Sequence, residues 1–478
     1  MTRNKTPARA VAALAGALML SACASFSPDG GMSVTADIAS RELRKDVVAI
    51  RTDDAAAAAR AQIERALKRS LTADAAVQIA LLNNRGLQAA YNELGIAETA
   101  MMRESLPPNP TLSVERLSGP LEIEIEKRIV GNILAIATLP ARADIARDRF
   151  LQAQQRAAED TLRIAAATRR AYYRAVASGA LAGFLQQAQS AAETAAKLAQ
   201  RLGETGALNK IDQAREQVFY AEVTAQLAVA RQKASSDRER LVRLLGLWGN
   251  DLAFKLPGSL PSLPRSVAVL RTIEIEAVRR RIDLQMARQE VATLAKLHGL
   301  TQATRFINLL EVGGVAKTKI ERTTGERVRD RGVDVEFQIP IFDLGEVRSR
   351  EASETYLRAV NQLTEKAVNV RSEARDTYRN YRSSYDIARH YRDEVLPLRK
   401  IISDETLLRY NAMQIDVFAL LAEARQRVAA NAAAIDAQRQ FWLAAVDLSV
   451  AVVGGGVSAD SGDRTTMTTA APDGAAGH

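Results

Sequence analysis

Leu87-Gln88-Ala89-Ala90, followed by Glu93, returns as Leu284-Gln285-Met286-Ala287, followed by Glu290, 197 residues further along the chain. Leu139-Pro140 returns as Ile339-Pro340 at an offset of 200, and Thr205-Gly206-Ala207-Leu208-Asn209 is matched by Ala412-Met413-Gln414-Ile415-Asp416 at an offset of 207. Matches that keep their order and nearly their spacing mark a duplicated chain. The halves cover 67–254 and 267–453. Between them, at 255–266, lies Leu256-Pro257-Gly258-Ser259-Leu260-Pro261-Ser262-Leu263-Pro264, a joint that neither a helix nor a central strand tolerates.

Each half follows one plan: a helix (68–105, then 268–298), a short section of strand character, a very long helix (141–203, then 344–408), a turn, and a returning helix of medium length. At 1.5 Å per residue the long helices extend about 95 Å. Pro397 is expected to kink or divide the second one. That helix carries a stripe at Tyr356, Val360, Leu363, Ala367, Val370, Ala374, Tyr378, Tyr381, Tyr385 and Ala388, nine steps over 32 residues with a mean of 3.56. This lies between the heptad and straight-helix periods, so the helices should pack lengthwise with weak supercoiling. The tyrosines read as packing residues or, alternatively, as an aromatic lining for substrates. Asn209 and Asp416 stand where a strong N-cap would start each returning helix.

Thr111-Leu112-Ser113-Val114 and Leu121-Glu122-Ile123-Glu124-Ile125-Glu126 place a first pair of strands at about 111–128, and the alternation around Gly325 places a second pair within about 305–341. Two hairpins cannot close a barrel alone, but hairpins from several identical subunits can. Glu122, Glu124, Glu126, Asp334, Glu336 and Gln338 would then face water, and the alternate apolar positions lipid. The other reading is a small soluble sheet on a helical protein.

Residues 1–22 begin basic (Arg3, Lys5, Arg9) and continue into the apolar run 11–20, which is too short to span a bilayer and reads as a signal segment. Leu20-Ser21-Ala22-Cys23 resembles the bacterial lipobox, which implies cleavage before Cys23 and acylation of that residue. Each buried methylene contributes about 0.8 kcal/mol, so several chains together form a firm anchor. Ala24, where an Asp would retain the protein elsewhere, implies sorting to the outer membrane. Cys23 is the only cysteine, which excludes an intramolecular disulfide. No other stretch reaches ~18 uncharged apolar residues, so any crossing of a membrane must be a β-barrel.

The composition, 47% hydrophobic and 25% charged, is that of a folded protein, and the low aromatic share of 5% suits long helices. Removing the three leader cations reduces the net charge from +9 to +6, which does not argue for nucleic acid. His298, His390 and His478 are scattered and suggest no metal site. Gly313-Gly314-Val315-Ala316-Lys317-Thr318 lacks the ending of a phosphate loop. No catalytic motif appears, so an enzyme is not expected, nor a cofactor beyond the lipid on Cys23. Residues 454–478 are small, polar and aperiodic, and read as a disordered tail.

Over 71–448 the chain resembles the TolC-like outer-membrane efflux proteins, in their lipoprotein branch. The resemblance rests on Leu71-Thr72-Ala73-Asp74-Ala75-Ala76 with Asn84, Pro107-Pro108-Asn109-Pro110, and Leu244-Leu245-Gly246 with the joint. It rests further on Ile339-Pro340-Ile341-Phe342-Asp343-Leu344-Gly345 and Arg409-Tyr410-Asn411-Ala412. The resemblance implies a mainly α fold with a transmembrane β section: helix–hairpin–long helix–helix halves, assembled as a homotrimer. A twelve-stranded β-barrel would stand on an α-helical periplasmic tube, with 23–66 forming a lipidated segment and part of the equator. It also implies contact with outer-membrane lipid, a periplasmic adaptor at the helical tips and an inner-membrane pump.

Against that pattern, the first hairpin is short and highly charged, and Ile129-Val130-Gly131-Asn132-Ile133-Leu134 does not read as a long lipid-facing strand. Met413 replaces the glycine of the second turn, and Ala419 and Ala422 stand where relatives carry tip acids. Asp212, six residues after Gly206, is either part of a cation-favouring ring on a threefold axis or a helix-start acid helped by the macrodipole. Tyr410 falls where the family places a tyrosine in closed-state contacts. The second turn resembles that of members associated with heavy-metal resistance. A passive exit duct is the function these observations imply. The competing class is a periplasmic coiled-coil lipoprotein, an adaptor or scaffold without a membrane-spanning barrel.

Overall fold

The computed structural model describes residues 26–267 and 272–455; the leader, Cys23 and 456–478 lie outside the described residues. The chain opens with α1 (Ser33–Leu43), α2 (Asp53–Leu67), α3 (Ala73–Asn83) and α4 (Arg85–Ser105). Strands β1 (Thr111–Ser118) and β2 (Glu122–Asn132) follow, then α5 (Ile133–Ala137), α6 (Leu139–Glu204) and α7 (Lys210–Leu245). Beyond the joint come α8 (Ile273–Arg280), α9 (Ile282–Ala303), β3 (Leu309–Glu321), β4 (Arg327–Gln338), α10 (Glu346–His390), α11 (Leu396–Asn411) and α12 (Val417–Val453). The protein is mostly helical with one small antiparallel sheet.

The two helices expected over 68–105 and 268–298 are each broken. Asn84 adopts an extended conformation, caps α4 by accepting from Leu87 N, and donates through Nδ2 to Leu244 O at 2.9 Å. Arg281 breaks the second, its guanidinium reaching Asp283 at 2.9 Å and also pairing with Glu373 of α10. Both breaks answer to partners far away in sequence, the Leu244 carbonyl and the Glu373 carboxylate. Helix α6 runs 66 residues without interruption, whereas α10 passes into a π-helical turn, Tyr391–Val395, just before Pro397. A proline has no N–H to give and crowds the preceding turn, and the wider turn that accommodates it divides the expected long helix into α10 and α11.

The core sits at mid-height, where α2, α3, α6, α7, α12 and the joint converge on Leu71, Ile79, Tyr172, Val176, Leu241 and Leu245. Tyr172 donates to Leu71 O at 3.0 Å, and Tyr91 shares a 3.0 Å hydrogen bond with Thr161; burial pushes both phenols up to about 12. The α10 stripe lies inward along its whole length. Tyr381 stacks on Phe441, and Tyr385 donates to Pro264 O and Arg265 O, so these rings pack and pin the joint. Before α1, Ser27 donates to Glu98 of α4 from both N and Oγ. At the other end Gly454 and Gly455 are buried, and a Cβ on Gly455 would lie 2.9 Å from Leu162. The tail expected from 454 therefore begins with two packed residues.

Candidate functional site: the sheet faces and the helical tip

The strands form one antiparallel sheet in the order β1-β2-β3-β4. β2 reaches Asn132 and stays in register with β3, Ile129 opposite Gly314 and Asn132 opposite Glu311. This extends the strand beyond the expected limit near 128 and brings 129–132, which did not read as part of a long lipid-facing strand, into the ladder. The stretch is weakly patterned, and its partner supplies the missing specificity. Gly313 leaves room for Arg128 to cross β3 and pair with Asp334 of β4; a Cβ there would sit 3.2 Å from Ile129 O.

Residues opposite one another in an antiparallel pair share a face. The register gathers Glu115, Glu122, Glu124, Glu126, Glu311, Glu321, Asp330, Asp334 and Glu336 on one face, with Arg128, Lys317 and Lys319 among them. Lys317 bridges Glu126 at 2.8 Å and Glu124 at 3.8 Å. The other face carries Leu112, Val114, Ile123, Ile125, Ile129, Leu310, Val312, Ile320, Val333, Val335 and Phe337. Among the described residues this face is largely open: Val333 is 78% exposed, and at the sheet's lower margin Phe342 is 98% exposed. Among the described residues the outer edges of β1 and β4 are unpaired. Such a sheet is unstable in water by itself. Among the described residues, no helix is long and apolar enough to cross a membrane.

The opposite end of the molecule holds the two helical turns. In the first, Ala207 N donates to Leu202 O (2.9 Å) and Gly206 N to Gly203 O (3.1 Å). In the second, Gln414 N donates to Arg409 O (2.9 Å) and Met413 N to Tyr410 O (3.0 Å). Gly206 (φ 77°) and Met413 (φ 57°) occupy the same left-handed position, comfortable for glycine and strained for methionine. Asn209 then caps α7 by accepting from Asp212 N at 2.9 Å, and Asp416 caps α12 by accepting from Ala419 N at 2.9 Å.

Asp212 is buried. Its carboxylate receives Asn209 Nδ2 at 2.6 Å and Arg215 at 3.0 Å, so it completes the cap of its own helix. Tyr410 is half-buried beside the second turn and Met413 is 94% exposed. Cys23 lies outside the described residues. His298 and His390 sit on separate helices, and among the described residues no group of His, Cys, Asp and Glu could hold a metal ion.

Sequence reasoning missed the acids one turn deeper. Glu216 is 3% exposed and lies 3.6 Å from Arg425 of α12, whose guanidinium also donates to Arg215 O and covers the Phe219 ring. Burial pushes the Glu216 carboxyl above the usual range, the Arg425 charge pulls it back, and Asp212 adds to the rise. Glu423, buried on α12, pairs with Arg399 of α11 at 3.1 Å. One oxygen of each acid lacks a partner among the described residues. Glu216 and Glu423 are separated by the same offset of 207 that relates the turns, a signal available had the comparison continued one helical turn further.

The fold is the TolC-like fold of outer-membrane channels. Among solved structures, the protein is similar to CusC, with TM-score 0.66 and 15% identity over 80% of this chain and 92% of that one. The outer-membrane channel OprN aligns with TM-score 0.65 and 16% identity over 91% and 97%. The open state of the MtrE outer-membrane channel of Neisseria gonorrhoeae aligns with TM-score 0.64 and 15% identity over 80% and 88%. No family model and no curated protein matches the chain.

Proposed function

We propose that the protein is a passive exit duct of a tripartite efflux system. Three copies would join β1 of one to β4 of the next and close a twelve-stranded barrel in the outer membrane, with the helices forming a tube through the periplasm. The carrying observation is the sheet: it has one face free of carboxylates and apolar in the rows nearest the helices, one polar face rich in carboxylates, and two free edges. Apolar-out and polar-in is the arrangement of a water-filled transmembrane barrel, and the 11–13 residues of β2, β3 and β4 suffice to span one. Exposed apolar residues on the tip helices, including Leu398, Ile401 and Leu408 of α11, suit packing against neighbouring copies or an adaptor.

A lipid on Cys23 fits this placement. Ser27 is held at Glu98, about 10 Å along α4 from the end next to the sheet. Four residues span at most about 14 Å, enough to bring an acyl chain on Cys23 to the membrane boundary. Energy for transport would come from a partner pump. The test is the heat-modifiability of the outer-membrane fraction for wild type and Cys23→Ser. A detergent-stable species near three times the monomer mass, converting to monomer on boiling, supports the duct. A monomer that leaves the membrane when Cys23 is replaced supports the lipid-tethered scaffold instead.

A further inference from the structure

We propose, resting on the barrel reading above, that the outward face of the sheet binds phosphate groups of outer-leaflet lipid headgroups through Arg116, Lys127, Arg327, Arg329 and Arg331. The strand register carries this assignment. Arg116 and Arg329 lie in one cross-strand row with Ile125 and Thr318; Lys127 and Arg331 lie in the next with Val114 and Ala316; Arg327 stands opposite Ile320. All five cations share the apolar face, and no carboxylate occurs on that face in any of the four strands. They occupy the three rows nearest the turns, about 13 Å along the strands, while the rows from Val333 down to Phe337 are apolar. All five are exposed, and none has an ion-pair partner among the described residues.

Height and face together fix the environment. An Arg or Lys facing lipid costs about 2–4 kcal/mol at the bilayer midplane and about 0–1 near the interface, so these rows belong at headgroup level. The helices leave the sheet at its opposite end, which makes the turn end the outer leaflet. Guanidinium groups bind phosphate bidentately, and four of the five cations are Arg. Joining β1 of one copy to β4 of the next would bring Arg116 beside the neighbour's β4 cations and make the belt continuous. The carboxylates opposite, on the lumen side, offer no attraction to an anionic headgroup.

The test uses the full chain in phosphatidylcholine vesicles doped with a phosphorylated glycolipid or with its dephosphorylated form. Wild type is compared with a fivefold and a fourfold variant. In one, Arg116, Lys127, Arg327, Arg329 and Arg331 become Gln; in the other, the four arginines become Lys. Trimer heat-modifiability and ion conductance report the barrel, and glycolipid retained per trimer after detergent exchange reports the surface. All three proteins are expected to form conducting trimers. Wild type and the Lys variant should retain phosphorylated glycolipid, the Gln variant several-fold less, and none should retain the dephosphorylated form to the same extent. Equal retention by the Gln variant, or equal retention of the dephosphorylated glycolipid by wild type, overturns the proposal. A Gln variant that fails to trimerise while wild type succeeds assigns the cations to barrel folding and overturns it too. If wild type itself neither trimerises nor conducts, the barrel reading falls and takes this surface with it.

Discussion

The two tip turns have the same backbone and different wiring. Both close with the same pair of main-chain hydrogen bonds, both place a left-handed residue at the same point, and both restart with a side-chain cap. Seven residues beyond each cap stands a buried glutamate. Glu423 finds its arginine within its own helix pair, Arg399 on α11; Glu216 has none on α6 or α7 and relies on Arg425, across on α12. The backbone of such a turn is set by local geometry, while the charges decide which helices move together. The second tip supplies its own counter-charge, whereas the first draws its counter-charge from the second through Arg425.

Arg425→Ala tests that asymmetry most severely. It leaves Glu216 buried without its cation, at a cost of about 2 kcal/mol. This is less than for a fully buried pair, since Arg425 keeps 40% of its side chain exposed. Hydrogen exchange should accelerate at both tips, because α7 loses its ion pair to α12. Arg399→Ala should cost a similar amount but accelerate exchange only in α11 and α12. If the two variants give the same exchange map, the asymmetry is not real.

The cap substitutions come next. Asn209→Ala and Asp416→Ala should each cost about 1 kcal/mol in chemical denaturation. The loss should be larger for Asn209, whose amide also holds Asp212. The turn substitutions should have opposite signs. Gly206→Ala places a Cβ at positive φ with no neighbour within 4 Å, so only backbone strain opposes it, at about 1 kcal/mol; Met413→Gly should relieve a comparable strain, less the chain entropy that glycine adds. Equal signs would mean that the turns differ in more than their side chains.

Acidity sharpens the comparison further. The folded-state pKa of Glu216 is raised, so the folded protein binds more protons than the unfolded chain between the ordinary glutamate value and the raised one. Stability therefore falls as pH rises through that window, and Glu216→Gln removes the effect. The variant's stability relative to wild type should improve from pH 4 to pH 7 in thermal unfolding. A flat difference would place Glu216 in a wetter setting than its 3% exposure indicates.

What the sequence discloses follows from the range of the interactions. The caps at Asn209 and Asp416 and the inward stripe of α10 are short-range chemistry, readable within one or two helical turns. The breaks at Asn84 and Arg281 are not, since they depend on Leu244 O and Glu373, 160 and 92 residues away. The reach of β2 to Asn132 is hidden for the same reason, because Gly313 and Gly314 of another strand make room for it. Glu216 and Glu423 look like ordinary acids on exposed helices until the opposing helix is known. Proline at 397 announced the disturbance, and the structure adds its form, a widened turn that separates α10 from α11.

The sheet also has a kinetic meaning. β1 and β2 are joined by a short turn, as are β3 and β4, but the central ladder pairs Asn132 with Glu311, 179 residues apart. Closing that loop costs more chain entropy than either hairpin, so hairpins and local helices should form first and the ladder between the halves last. The adhesive sheet surface thus stays divided into two small pieces while the chain is incomplete. Pulse-labelled hydrogen exchange would reveal this as late protection confined to the β2–β3 bonds.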